Sequence, residues 1–94
     1  MMGESDIRRL AGIFKGAGNH RRLRILLVVH QHRCLSLEKI CALAGSSLPT
    51  ISEHTRRLAL ARLIRKRYSG RQVHHTLTPL GQRVLSFFPT LLTP

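Results

Sequence analysis

Apolar residues recur at helical spacing through the first half of the chain. One face of the first stretch shows the i, i+3, i+4, i+7 pattern of a buried helix face, formed by Ile7, Leu10, Ala11 and Phe14. Ser5 is placed to cap this helix at its N-terminus, and Gly16 and Gly18 are expected to end it. The pattern predicts one amphipathic helix near the N-terminus.

A second helix is predicted to begin after Asn19, a residue type that caps helix N-termini. One side of this helix carries Leu23, Leu26, Leu27 and His30, and two further residues widen the apolar stripe, Ile25 and Val29. Because so wide an apolar surface must be covered on several sides, we expect this helix to lie in the middle of the fold.

Two further helices are predicted, joined by a short turn that contains Gly45. Ser36 is placed to cap the first of them, and its inward residues are Leu37, Ile40, Cys41 and Ala44. Ser47 is placed to cap the second, which runs from Leu48 to about Ala61. The inner side of this second helix is formed by Ile51, Thr55, Leu58 and Ala59. A helix, a short glycine-containing turn and a second helix make up a helix-turn-helix unit.

The pattern then changes to the period of a strand. Leu63 to Tyr68 and Arg71 to Leu77 are predicted as two short strands, with Ser69-Gly70 as the two-residue turn of a hairpin. Thr78 begins a last helix that Pro89 is expected to end, and its apolar positions are Leu80, Val84, Leu85 and Phe88. The predicted fold is mainly α with a small β-hairpin, in the order α-α-α-α-β-β-α, and forms a single domain over residues 1-94.

The charge balance of the chain is strongly positive. Lys and Arg number 16 against four Asp and Glu, which gives a formal net charge of +12. No acid follows Glu53, whereas eight cations do. Repulsion among so many positive side chains disfavours the compact state, and so large a net charge usually indicates a polyanionic partner.

These cations fall on two elements that could meet a DNA duplex. In a helix-turn-helix the second helix lies in the major groove, and its outward residues here are Ser47, Pro49, Thr50, Ser52, Glu53, His54, Arg56 and Arg57. Hydroxyls can donate to phosphates or bases, a carboxylate can accept from cytosine N4, and arginine can pair with guanine. The hairpin adds a second set of cations, Arg65, Lys66, Arg67 and Arg71. We expect the hairpin to lie along an adjacent minor groove or the backbone, with Arg67 and Arg71 inserted.

Four stretches resemble winged helix-turn-helix regulators of the arsenic-repressor (ArsR) type. Residues 19–27 look like that family's second helix, 47–58 like its recognition helix, 63–77 like its wing, and 78–81 like the start of its last helix. MarR-type regulators share the wing but usually carry longer terminal helices. The resemblance implies a homodimer that is built on the first and last helices and recognises a two-fold operator, with its interface at Ile7, Leu10, Phe14, Leu85 and Phe88. The alternative is that these residues only close the core of each monomer.

Metal and thiol chemistry has weak support in this sequence. The positions at which many relatives carry metal-binding thiolates are Ser36 and Glu38, so that site is missing. The remaining candidate, His30-x-His32-x-Cys34, offers three ligands but lacks a fourth. Cys34 could be an exposed redox-active thiol. We expect no metal, no cofactor and no small-molecule effector.

The functional prediction is a sequence-specific regulator of transcription, a repressor rather than an activator. Its expected partners are double-stranded DNA and a second copy of the chain, and its expected location is the cytoplasm, with no membrane span. Two alternatives stay open: a non-specific nucleic-acid-binding protein of chromatin type, and a winged-helix module that docks other proteins. Catalysis is not expected, because four scattered carboxylates and no nucleophile arrangement leave nothing to assemble.

Overall fold

The computed structural model describes all residues, 1–94, and contains six helices and one three-stranded sheet. The elements in chain order are α1 Glu4–Ala17, α2 His20–His32, β1 Leu35–Ser36, α3 Leu37–Ala44, α4 Leu48–Leu60, β2 Ile64–Ser69, β3 Gln72–Leu77, α5 Pro79–Ser86 and α6 Phe88–Leu92. The predicted winged helix-turn-helix fold is confirmed, with two short elements added, β1 and α6. None of the helices is both long and apolar enough to cross a membrane.

Helix α2 lies at the centre of the core, as its wide apolar stripe predicts. Ile25, Leu26 and Val29 are fully buried and contact the surrounding helices and β3. The prediction was wrong for Leu27 and His30, which are exposed. At about 100° per residue, Leu27 points away from the side that the three buried residues share.

The ends of α1 differ from the sequence prediction. Its first turn is closed by Asp6, whose carboxylate accepts a hydrogen bond from the Gly3 backbone N–H at 3.0 Å, so Ser5 lies inside the helix and is not its cap. Gly18 ends the helix, but Gly16 does not. A Cβ atom on Gly16 would collide with the side chain of Ala61, so this glycine permits close packing of α1 on the end of α4.

The caps predicted for α3 are confirmed, whereas the Ser47 side chain, predicted to cap α4, makes no capping hydrogen bond. Ser36 Oγ accepts from the backbone N–H of Lys39 at 3.2 Å, and Gly45 ends α3 with a left-handed φ of 69°. On α4, Ile51, Thr55 and Leu58 are fully buried. Buried residues at this spacing fix the rotation of α4 about its axis, which leaves its opposite side facing solvent.

The sheet has the strand order β1-β3-β2, and all of its pairings are antiparallel. Ser69 pairs with Gln72, so the hairpin turn is Gly70-Arg71, one residue later than predicted. Gly70 has φ 60° and Arg71 does not have a positive φ, which is the pattern of a type II′ turn. The side chain of Arg71 therefore lies at the tip of the hairpin and not in its strand.

His75 joins the hairpin to the rest of the fold. Its side chain is fully buried, and its Nδ1–H donates a hydrogen bond to the carbonyl oxygen of Leu35 in β1 at 3.0 Å. Burial lowers the pKa of His75, because the charged imidazolium loses its hydration inside the core. The neutral ring thus ties β1 to β3.

The chain turns sharply between α4 and the hairpin, and again after it. Arg62 has a left-handed φ of 62°, and its carbonyl oxygen accepts from Thr78 Oγ at 2.6 Å. Thr78 also caps α5, because its Oγ accepts from the Gly81 N–H at 3.0 Å. Pro89 does not end the last helix as predicted; it lies in the first turn of α6, where a proline needs no backbone N–H. These contacts fix the hairpin beside α4.

Candidate nucleic-acid interface

The outer side of α4 is open to solvent along its length. Six of the eight residues predicted to face DNA are exposed, namely Ser47, Pro49, Ser52, Glu53, Arg56 and Arg57. The other two, Thr50 and His54, are half-buried on the flank that faces α2. These six exposed residues form a polar and charged surface, called here the crest of α4. Neither Thr50 nor Arg56 is sealed inside the protein.

The N-terminus of α4 has free backbone donors. The Ser47 hydroxyl donates to Thr50 Oγ at 2.9 Å and makes no hydrogen bond to the backbone of the first turn. The backbone N–H groups of that turn have no side-chain cap and carry the positive end of the helix dipole. A phosphate oxygen is a suitable acceptor for them.

Glu53 holds both crest arginines of α4. Arg56 donates to the two carboxylate oxygens of Glu53 through Nε at 3.0 Å and Nη2 at 2.7 Å, and Arg57 Nε donates to Oε1 at 3.0 Å. These hydrogen bonds lower the pKa of Glu53 to about 2, and its pairing raises the pKa of Arg56. In the free protein the guanidinium groups of the crest are therefore occupied by an acid from their own helix.

His54 faces away from the crest. Burial lowers its pKa, and the nearby charges of Arg22 and Arg21 lower it further. Its Nδ1 atom is buried and has no hydrogen-bond partner. Of the eight residues, His54 is thus the one least able to reach a base.

The wing cations divide between the two faces of the hairpin. Arg65 and Arg67 lie on the outer face and are exposed, whereas Lys66 pairs with the buried His75 and is half-buried on the inner face. Burial lowers the pKa of Lys66, and the charge of Arg56 lowers it further. Strand β2, which carries these three cations, packs against α4, so the cations of the hairpin and of α4 lie on adjacent elements.

Sequence reasoning missed a third basic segment, at the start of α2. His20, Arg21 and Arg24 line a pocket of about 150 Å³ together with Gly45 and Ser46 of the turn before α4. The cluster of cations at residues 20–24 is visible in the sequence, but its position beside this turn depends on how α2 packs on α3. It extends the basic surface past the N-terminus of α4.

The residues predicted for a dimer interface are only partly exposed. Ile7, Leu10 and Phe14 of α1 are 52%, 37% and 70% exposed. Leu85 is only 8% exposed and belongs to the core, and Phe88 packs against that core. The burial of Leu85 supports the alternative that it closes the core of the monomer, and its place in a dimer interface stays a prediction. The C-terminal segment instead exposes three apolar residues that were not predicted, Phe87, Leu91 and Leu92.

The thiols and histidines do not assemble into a site. The structure contains no group of three or more His, Cys, Asp or Glu side chains that could hold a metal ion. Cys34 is exposed and Cys41 is half-buried, and no disulfide joins them. Burial, and then the charge of Glu38, raises the pKa of Cys41, which favours the unreactive thiol.

Comparison with known proteins gives matches at the level of structure. No protein-family model matches the chain, and no curated protein matches its sequence. The antimony-specific transcriptional repressor AntR superposes with a TM-score of 0.85 at 24% identity, over 98% of this chain and 84% of AntR. HlyU from Vibrio cholerae superposes with a TM-score of 0.84 at 22% identity, over 96% of this chain and 98% of HlyU.

A third solved structure is described as a homodimeric winged helix-turn-helix DNA-binding domain. This is Mb0332 from Mycobacterium bovis, a possible ArsR-family transcriptional regulator, with a TM-score of 0.81 at 25% identity over 97% of this chain and 89% of that domain. The structural neighbours are ArsR-type winged helix regulators of transcription rather than enzymes. The resemblance inferred from the sequence is therefore confirmed at the level of the fold.

Proposed function

We propose that this protein is a sequence-specific, double-stranded DNA-binding regulator of transcription that acts as a homodimeric repressor on a two-fold operator. Helix α4 enters the major groove, and the wing follows the neighbouring backbone or minor groove. The observation that carries the proposal is the packing of the basic hairpin against α4, which places two cation-bearing elements side by side.

The composition of the crest supports sequence-specific binding over packaging of any duplex. A surface built only for phosphates needs cations, whereas this crest includes Ser52 and Glu53 beside its arginines. The carboxylate of Glu53 repels phosphate, so it favours binding only at a DNA sequence that offers it a hydrogen-bond donor. Such a donor is a base amino group, which would take the place of an arginine at the carboxylate. Non-specific packaging stays the second candidate, because a net charge of +12 favours any duplex.

The exposed apolar residues of α1 support the homodimer. Ile7, Leu10 and Phe14 share one side of α1, and solvent-exposed apolar groups at this spacing are typical of a helix that packs on a partner. A two-fold dimer would place two copies of α4 about one helical turn of DNA apart, roughly 34 Å. This separation matches the half-sites of a palindromic operator.

Selection of bound duplexes from a random pool tests the proposal. The expected result is a palindromic consensus whose half-site centres lie about 10 base pairs apart. Enrichment of no sequence, with retention of all duplexes at low salt, would favour the packaging function. Absence of any duplex binding at moderate salt would favour the protein-docking module.

A further inference from the structure

A second concave surface lies beside the C-terminal half of α4. This groove has a volume of about 950 Å³ and is bounded by α1, the start of α2, the C-terminal end of α4 and α5. Five cations line it, Arg9, Lys15, Arg22, Arg57 and Arg62. The sequence alone predicted no small-molecule effector, and these cations come from α1, α2 and the C-terminal end of α4, which only the fold brings together.

The charge of the groove is not matched by the protein. None of the four acids of the chain lines it, and only Arg57 has an acidic partner, Glu53 at 3.0 Å on the rim. The other four cations take part in no ion pair. Like charges that converge on a concave surface repel one another and attract an anion from solvent.

Two buried polar atoms at the groove lack partners. Arg22 Nε and His54 Nδ1 are both buried and make no hydrogen bond. Buried polar atoms are normally paired, so an unpaired guanidinium N–H indicates a place where an acceptor is missing. The lowered pKa of His54, to which the charge of Arg22 contributes, agrees with a strongly positive environment there.

The groove also has apolar walls, to which Ile13, Leu60 and Leu80 contribute. Leu60 lies at the C-terminal end of α4. DNA contacts are expected at the other end of this helix, near Thr50, which is about 15 Å away along the helix axis. Apolar walls and this distance from the N-terminus of α4 favour a small molecule over a DNA backbone.

A second copy of the chain would leave the groove open. Successive residues of a helix are separated by about 100°, which places Arg9 on the side of α1 opposite Phe14. A partner that packs on the exposed apolar side of α1 therefore does not cover the side that lines the groove.

We propose that this groove is a binding site for an organic anion, a compound that carries a sulfonate, phosphate or carboxylate on an apolar skeleton. The unpaired cations bind the anionic group, and the apolar walls contact the skeleton. The groove shares only His54 and Arg57 with the residues predicted to bind DNA.

Fluorescence titration of the full chain with bis-anilinonaphthalene disulfonate tests the site, because this probe carries two sulfonates on apolar rings. The test variant is Arg9→Gln, and the matched control is Arg8→Gln, since Arg8 is the next residue on α1, has the same charge and does not line the groove. Losing one charged donor should weaken probe binding about tenfold in Arg9→Gln and leave Arg8→Gln unchanged. Lys15→Gln should behave like Arg9→Gln.

A second probe separates the charge from the apolar contact. N-phenylnaphthylamine is one anilinonaphthalene unit of that probe without its sulfonate, and it should bind weakly and equally to all variants. Equal affinity of the disulfonate for Arg9→Gln and Arg8→Gln would overturn the proposal, as would equally tight binding of the uncharged probe. Both measurements are made without DNA, so their outcome is independent of the proposed DNA-binding function.

Discussion

Glu53→Gln is the substitution that most directly tests how the crest of α4 distinguishes DNA sequences. Three hydrogen bonds to one carboxylate hold Arg56 and Arg57 in the free protein. The neutral amide keeps the shape of the side chain but cannot accept from two guanidinium groups with the strength of a charged acceptor. Two arginines on each protomer are then free to contact phosphates.

The magnitude follows from counterion release. Each phosphate contact contributes about 0.9 to the slope of log affinity against log salt, so two freed arginines increase that slope by up to about 1.8 per protomer. Affinity for a random duplex should therefore rise at low salt. Affinity for the selected operator should fall relative to the random duplex by about five- to a hundredfold, the cost of one lost base contact.

Fluorescence anisotropy with labelled duplexes, from low to moderate salt, measures both quantities. Glu4→Gln is the matched control, because Glu4 also pairs with an arginine on its own helix, Arg8 at 3.6 Å, far from α4. The control should leave the ratio of operator to random affinity unchanged. A Glu53→Gln protein that keeps this ratio and its salt slope would refute the role assigned to Glu53.

Three further predictions test other parts of the account. Arg71→Ala should lower the slope of log operator affinity against log salt by about 0.9 per protomer, whereas the control Arg83→Ala, on α5, should leave this slope unchanged. Equal slopes for the two variants in an anisotropy titration would remove Arg71 from the interface. Phe14→Glu should weaken self-association at least about a hundredfold in analytical ultracentrifugation, because it places a charge on the exposed apolar side of α1. An unchanged dimer would show that this side of α1 is not the dimer interface. The folded-state pKa of His75 lies below its ordinary value of 6.5, so its contribution to stability is complete above about pH 6.5 and is lost as pH falls below that value. Urea unfolding should therefore depend less on pH between 7 and 5 in His75→Gln than in His30→Gln, and identical pH profiles would contradict the buried neutral ring.

Much of the fold could be predicted because its signals are local. Helical spacing defined the five longer helices, and capping at Asn19, Ser36 and Thr78 was visible in the sequence because each cap bonds a backbone N–H two or three residues away. The hairpin turn was displaced by one residue, since Gly70 occupies a central turn position in either register. Local signals therefore determined the element types better than their exact ends.

The features that were missed depend on distant contacts. Strand β1 has only two residues, and its pairing of Leu35 with His75 spans 40 residues of sequence. The burial of Leu85 and the position of Arg21 beside the helix-turn-helix likewise arise from packing between helices. The Glu53 ion pairs are different: Arg56 and Arg57 stand three and four residues later, a spacing that does predict contact on one helix face.

The central claim is that α4 and the wing contact one duplex together, and backbone amide shifts measured by NMR during titration with the selected duplex test it most directly. The account predicts the largest changes at Thr50, Ser52, Arg56, Arg67 and Arg71, in both elements at the same DNA concentration. Changes confined to α1 and α6, with α4 and the hairpin unaffected, would contradict it.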